Sequence, residues 1–272
     1  MSELKMKYNP EGSALRRDQK ELVRMLKVVA EICKENGLQW WLSSGSLLGA
    51  ARHKGFIPWD DDLDIVMMRD DYLKLEKILC SMQGDEFVFH CMKTDVDYVN
   101  FFGKFRKKEG SIQVKHRRYR YYKWKGIGID IFAIEKTSYL SARLAKLLYH
   151  PFMSLGSRIT VDWIRKPYTR IIQAIDKYVL YPVLRLIGLI NPKQKYHYAL
   201  GQGWPKHFFY EKDIYPLRMT EFEGELFPVP NDMDAYLTNV YGDWRKLPSD
   251  EQIKKCIHCQ EYIDEIFGNT QE

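Results

Sequence analysis

The sequence predicts an α+β fold, a small mixed sheet flanked by helices and carrying a helical insertion. Three observations predict it. Apolar residues recur at helical spacing over 14–36 and again from 142 to about 200. Short apolar or alternating runs at 38–42, 63–67 and 126–134 have the length of strands. Turn residues punctuate them, notably Gly45-Ser46, Gly55 and Pro58. The 272 residues divide into a core (1–135), a basic and apolar helical insertion (136–200) and a C-terminal block (201–272) that completes the same domain.

In chain order, Leu15, Leu22, Met25, Leu26, Val29 and Ile32 share one face of a helix over 14–36, and Gly37 stands where a glycine commonly ends one. Leu38–Leu42 read as a strand, Ser43-Ser44-Gly45 as a turn, Ser46–Arg52 as a short helix and Leu63–Met67 as a second strand. Asp70–Leu79 return to helical spacing. Residues 86–92 and 98–106 read as strands, 107–125 as a basic loop or hairpin, and 126–134 as a strand with Ile127, Ile129 and Ile131 alternating. From Ala142 the pattern is helical, broken at Pro151, Pro167, Pro182 and Pro192. Residues 219–247 hold two glycine turns, and a final helix runs from Ser249 to Ile266, with Gln252 placed to close a capping box.

Composition narrows the function. A hydrophobic content of 45% with 14% aromatics belongs to a folded chain, not a disordered one. No run of about 20 apolar residues is present to span a membrane. The N-terminus lacks the apolar stretch of a secretion signal, so a cytoplasmic location is expected. Five cysteines, an odd number, read as free thiols, and Cys256 and Cys259 lack a second ligand pair for zinc. The net charge of +6 is uneven: from Lys104 to Lys125 ten lysines and arginines face one acid, Glu109. Such a surface suits phosphate-rich ligands, an anionic membrane or nucleic acid.

The chemistry concentrates between Trp40 and Asp71. Asp60, Asp61, Asp62 and Asp64 lie within five positions among apolar residues. Burying them unpaired is costly, so a cation is expected among them, and a divalent metal with oxygen ligands is the economical one. On a strand, Asp62 and Asp64 point to one face while Leu63 and Ile65 point to the other. A neighbouring strand 126–134 would add Asp130 to that face. Three carboxylates on adjacent strands hold one or two Mg²⁺ (or Mn²⁺) ions. Gly45-Ser46 opens a helix whose N-terminal amides suit a phosphate, and Arg52 and His53 follow two turns later, within reach of the same anion.

A Gly-Ser turn, a D-x-D strand and a third strand Asp resemble the nucleotidyltransferase superfold related to DNA polymerase β. The segment SGSLLGAARHKGFIPWDDDLDIVM (44–67) resembles the signature of the LicD family, which includes phosphocholine transferases and the fukutin-type ribitol-phosphate transferases. FEGELFPVPNDMDAYLTNVYGDWRKLP (222–248) looks like that family's second block, and EGSALRRDQKELVRML (11–26) like its lead-in. The resemblance implies metal-dependent transfer of a phospho-alcohol, phosphocholine or similar, from a CDP-linked donor such as CDP-choline to a sugar hydroxyl of a cell-surface glycan. It implies Asp62, Asp64 and Asp130 as catalytic metal ligands and Gly45 and Ser46 as the donor-phosphate turn. Arg52, His53, Lys104 and Arg106 would steady the remaining donor charge, and Asp130 or Asp60 would act as base.

Plainer readings stand beside these. Acidic clusters cap turns, Arg52 and His53 can pair with the aspartates, and a basic run is commonly a solvated loop. Trp40, Trp41 and Trp59 read as core aromatics before they read as a cage for a quaternary ammonium; Tyr236, Tyr241 and Trp244 are equal candidates for that cage. Over 142–195 the plain reading is packed helices with a basic outer face, and the sharper one is peripheral contact with an anionic membrane carrying a lipid-linked acceptor. The rival functions are a nucleotidyltransferase that leaves NMP on its acceptor and a nucleic-acid-binding or scaffold protein; no nucleic acid is expected.

Overall fold

In the computed structural model the described residues are 2–82, 84–112, 117–190, 195–202 and 204–268. A short helix α1 (Ser2–Tyr8) precedes α2 (Ala14–Glu35), which starts on the Ser13 side chain accepting the Arg16 amide. Leu15, Leu22, Met25, Leu26, Val29 and Cys33 are buried on its inner face, each of the larger side chains contributing about 1.5–3 kcal/mol of burial. Gly37 follows at φ +63, the left-handed conformation that glycine adopts at least cost.

The sheet is built from β1 (Trp40–Leu42), β2 (Leu63–Met68), β3 (Phe87–His90), β4 (Gly103–Lys107), β5 (Gly128–Thr137), β6 (Lys195–Tyr198) and β7 (Phe208–Phe209). The order is β1-β2-β5-β4-β3, with β6 pairing the C-terminal half of β5 and β7 pairing β6. β2 and β5 run parallel and every other pair is antiparallel. Ten-residue β5 is therefore central, which accounts for its nearly unbroken burial. α3 (Ser44–His53) and α4 (Arg69–Ser81) connect the first strands.

After β5 come α5 (Tyr139–Gly156), α6 (Asp162–Ile175), a π-helical turn over 176–180 and α7 (Tyr181–Ile190). The helices do not break at Pro151 and Pro167, as the sequence suggested; both prolines lie inside helices and the break falls at 157–161. Ala145, Tyr149 and Met153 are buried along α5, and their packing offsets the hydrogen bond lost at Pro151. Arg165 fixes the insertion to the core: its Nε and Nη2 lie 2.7 and 3.2 Å from the two carboxylate oxygens of Asp97. Arg185 does the same with Glu135 at 2.7 Å. Residues 195–198, expected to be helical, form β6, because Ile134–Thr137 of β5 present an open edge to pair with. Pro192 lies outside the described residues.

A helical turn α8 (Glu211–Ile214) leads to a separate hairpin of β8 (Arg218–Phe222) and β9 (Glu225–Val229), followed by α9 (Met233–Tyr241). The hairpin's Glu223 accepts the Phe56 amide at 3.1 Å and pairs with Arg16 at 2.7 Å, pinning this block to the loop before β2. The final helix expected over 249–266 is two: α10 (Asp250–Cys256), with the anticipated Ser249–Gln252 capping box, and α11 (Gln260–Phe267). The break has a cause. The amides of His258 and Cys259 leave the helix to donate to Asp61 Oδ2, each at 2.8 Å. The strand expected over 98–106 is confined to Gly103–Lys107. In the basic segment 107–125 the described part is a loop with one 3-10 turn over 117–121, and Lys115 falls outside the described residues.

Candidate active site

The register of the sheet sets a row of polar side chains on one face. Asp64 on β2 is opposite Asp130 on β5, Asp130 is opposite Lys104 on β4, and Lys104 is opposite His90 on β3. Residues opposite one another in a sheet share a face, so an acidic pair and a lysine stand side by side. Lys104 Nζ is 2.7 Å from Asp130 Oδ1, close enough for an ion pair. Two positions along β4, Arg106 repeats the face opposite Gly128, where a Cβ would crowd the Phe105 carbonyl and the Arg106 Cα at 2.9 and 3.1 Å.

Asp60, Asp61 and Asp62 reach this face from the segment just before β2 and are half-buried. Burial first, and then repulsion from neighbouring aspartates, push the Asp60 and Asp64 carboxyls well above the ordinary carboxylate range. Asp62 is pushed up as well, burial leading, against the pull of His258 and Lys104. Asp60 Oδ2 is buried without a hydrogen-bond partner. A cluster of this kind asks for positive charge, and its oxygen donors fit a hard divalent cation such as Mg²⁺ or Mn²⁺. Among the described residues, the one set of three such side chains whose ligand atoms lie within 4.8 Å of one another is Asp61, Asp62 and His258, not Asp62, Asp64 and Asp130. Asp61 is otherwise engaged: besides the two amides it holds His258 Nδ1 at 3.0 Å, and that contact raises the imidazole to about 9.

A cleft of about 700 Å³ opens over this face, lined by Asp61, Asp62, Lys104, Arg106, Asp130 and His258 among others. Arg106 is 1% exposed. Its Nη1 donates to Tyr119 Oη at 2.9 Å and to the Gly126 carbonyl, Nε has no partner, and no carboxylate pairs with it among the described residues. A buried guanidinium left without a counter-anion at a cleft wall is suited to an anionic ligand.

The Gly45-Ser46 turn lies beside the acidic segment, not on the cleft wall. The helix begins earlier than the sequence suggested, at Ser44, whose φ is +48. A Cβ on Gly45 would meet Asp60 Oδ2 at 2.5 Å, so only glycine leaves that carboxylate its place. Ser46 is buried, and its hydroxyl accepts the Asp64 amide at 2.8 Å, joining the helix start to the strand. Arg52 and His53 face the C-terminal block instead of the cleft: Arg52 donates to His53 Nε2 at 3.0 Å and to the Trp244 carbonyl at 3.1 Å. Burial lowers His53 to about 4, so it is neutral at ordinary pH. Trp40, Trp41 and Trp59 are core residues, as is Tyr236, whereas Tyr241 is exposed. The sequence weighs His258 only as a zinc ligand beside Cys256 and Cys259, where it does not complete a site. Its one signal, a place inside C-x-x-C, points to thiol chemistry and away from its contact with Asp61, 197 positions earlier.

Residues 37–154 match the family model described as LicD/FKTN/FKRP, nucleotidyltransferase domain. The chain is 26% identical over 271 residues to a lipopolysaccharide cholinephosphotransferase LicD of Haemophilus influenzae, covering 91% of this chain and 97% of that protein. Over 52 residues it is 40% identical to the ribitol 5-phosphate transferase FKRP of Homo sapiens, which is 19% of this chain and 10% of that one.

Proposed function

We propose that the chain, whose residues 37–154 match the LicD/FKTN/FKRP family model, is a phosphotransferase of LicD type that moves a phospho-alcohol, phosphocholine or a close analogue, from a CDP-linked donor to a sugar hydroxyl of a cell-surface glycan. The observation that carries the reading is the cleft where Arg106, buried and without a carboxylate partner among the described residues, and Lys104, paired with Asp130, stand beside Asp62, with Asp64 next to Asp130 in the sheet. Cations and carboxylates on one wall are what transfer of a phosphate group requires.

Asp62, Asp64 and Asp130 do not converge within 4.8 Å as they stand, but Asp64 and Asp130 are register partners with Asp62 beside them, and turned toward one another they would hold a divalent cation, Mg²⁺ or Mn²⁺, which would supply charge neutralisation at the transferred phosphate. The chain's own groups do the rest. Arg106 holds donor phosphate oxygens from the cleft wall, and Lys104 turns from Asp130 to the same oxygens. The acceptor hydroxyl attacks the alcohol-bearing phosphorus as its proton passes to a carboxylate; the bond to the CMP oxygen breaks and CMP departs. Asp130 is the better base than Asp60, since it lines the cleft and Asp60 does not. The aspartates before β2 and the tie from Asp61 to 258–259 keep the acidic wall in position.

Calorimetry tests this with CDP-choline, CDP-ethanolamine, CDP-glycerol, CDP-ribitol and CTP, each with and without Mg²⁺. Metal-dependent binding of one CDP-alcohol is expected. Binding of CTP alone would replace this reading with that of a nucleotidyltransferase, and binding of no nucleotide would end both.

A further inference from the structure

The described residues expose 27 large hydrophobic side chains, and eighteen of them fall between Tyr139 and Ile190. They include Trp163 at 78%, Tyr178 at 70% and Ile190 at 82% exposure. A water-soluble surface rarely leaves so many together, so something covers them. The same stretch holds eight lysines and arginines against two aspartates. Neither acid is available to a partner: Asp162 pairs with Arg165 and Lys166, and Asp176 is buried. No helix of the described residues is long and apolar enough to cross a membrane.

We propose that α5, α6 and α7 form a platform that lies in one leaflet of an anionic phospholipid bilayer, with the candidate active-site cleft at its rim. The charge decides against a second copy of the chain as the occupant, because two such faces would oppose basic residues to basic residues. A bilayer with anionic headgroups accepts both features: the apolar side chains enter the acyl boundary, while exposed Arg143, Lys146, Arg158, Arg170 and Lys177 reach headgroup phosphates. The cleft follows from α5. His150, Pro151 and Ser154 line it, while Leu147, Leu148, Phe152 and Leu155 on the adjoining face of the same helix are exposed. The mouth of the site thus borders the membrane plane. Resting on the phosphotransfer reading, the acceptor is then a glycan carried on a membrane lipid, which reaches the cleft without leaving the bilayer.

Flotation with vesicles of phosphatidylethanolamine and phosphatidylglycerol tests the membrane half without any turnover. The full chain should float, and should still float at about 0.5 M salt, where headgroup attraction is screened. The triple variant Trp163→Glu, Leu186→Glu, Ile190→Glu, altered only at exposed positions, should partition at least about tenfold less. Complete release of the wild type by salt would reduce the platform to surface adsorption and overturn insertion. Failure to float, with light scattering showing a dimer that the variant abolishes, would assign the face to a second copy. For the acceptor half, transfer is compared between a glycan anchored in the vesicles and the same glycan free in solution. Wild type should favour the anchored form and the triple variant should lose that preference while keeping its rate on the free one. No transfer to either form by wild type that floats would sink the phosphotransfer reading and leave the platform standing.

Discussion

Lys104 faces Asp130 directly across β4 and β5, its ammonium 2.7 Å from the carboxylate. A lysine in that position supplies the charge that the acidic wall needs when no other cation is bound. Lys104→Met removes it and leaves only His258, near Asp62, against the repulsion among Asp62, Asp64 and Asp130. The expected cost is about 1 kcal/mol, or about 2–4 °C in Tm for a chain of this size. Added Mg²⁺ should restore more of the Tm in the variant than it adds to the wild type. Thermal melts with and without Mg²⁺ read both; equal metal responses would show that Lys104 and the cation do not share a site.

Asp62→Asn and Asp64→Asn should lower the transfer rate by at least about a hundredfold, the scale of losing a group that acts on transition-state charge. Stability should hold or rise, because each change relieves like-charge repulsion in a buried cluster. Product release and urea unfolding are measured on the same preparations. Retained activity in either variant sinks the assignment.

Gly45 and Asp60 should be energetically coupled. Alanine is the better helix former by about 1 kcal/mol, so on propensity alone Gly45→Ala would stabilise α3. The 2.5 Å approach to Asp60 Oδ2 predicts the opposite sign, a loss of about 1–3 kcal/mol. In the Asp60→Ala background the loss should vanish. A double-mutant cycle in urea reads the coupling, and additive changes would separate the two residues.

Acid should weaken the fold through His53. Its folded value is lowered to about 4 by burial, against about 6.5 for an unfolded histidine. As pH falls the unfolded chain takes the proton first. The stability contributed by neutral His53 is therefore full above pH about 6.5 and is lost as pH falls toward about 4, some 2 kcal/mol of it by pH 5. His53→Gln should lose correspondingly less between pH 7 and pH 5 in urea titrations. A parallel decline in both proteins would place the acid sensitivity elsewhere.

Local order explains how much of this was legible in the sequence. Side-chain alternation assigns Asp64 and Asp130 to strands, and a Cα register that pairs them follows once those strands are neighbours. Helical spacing gives α2, α4 and the helical character of the insertion, though not where its helices divide or that 195–198 is a strand. What sequence spacing does not carry is partnership between distant residues. Nothing near Asp61 announces the amides at 258 and 259, so the final helix reads as continuous although the structure divides it. Arg52 and His53 lie near the motif in sequence, yet α3 turns them toward Trp244. Pro151 and Pro167 look like breaks because their cost is local, whereas the burial that outweighs it comes from the rest of the fold.

The tie from Asp61 to His258 and Cys259 also bears on how the protein is made. The aspartates of the site all lie at or before residue 130, but the segment that anchors Asp61 is made almost two hundred residues after Asp61 itself. A nascent chain halted before residue 258 thus holds every acidic residue of the site with Asp61 unanchored. Order in the acidic wall thus depends on a segment far downstream, and a chain lacking 258 and 259 keeps the aspartates while losing the tie that holds Asp61.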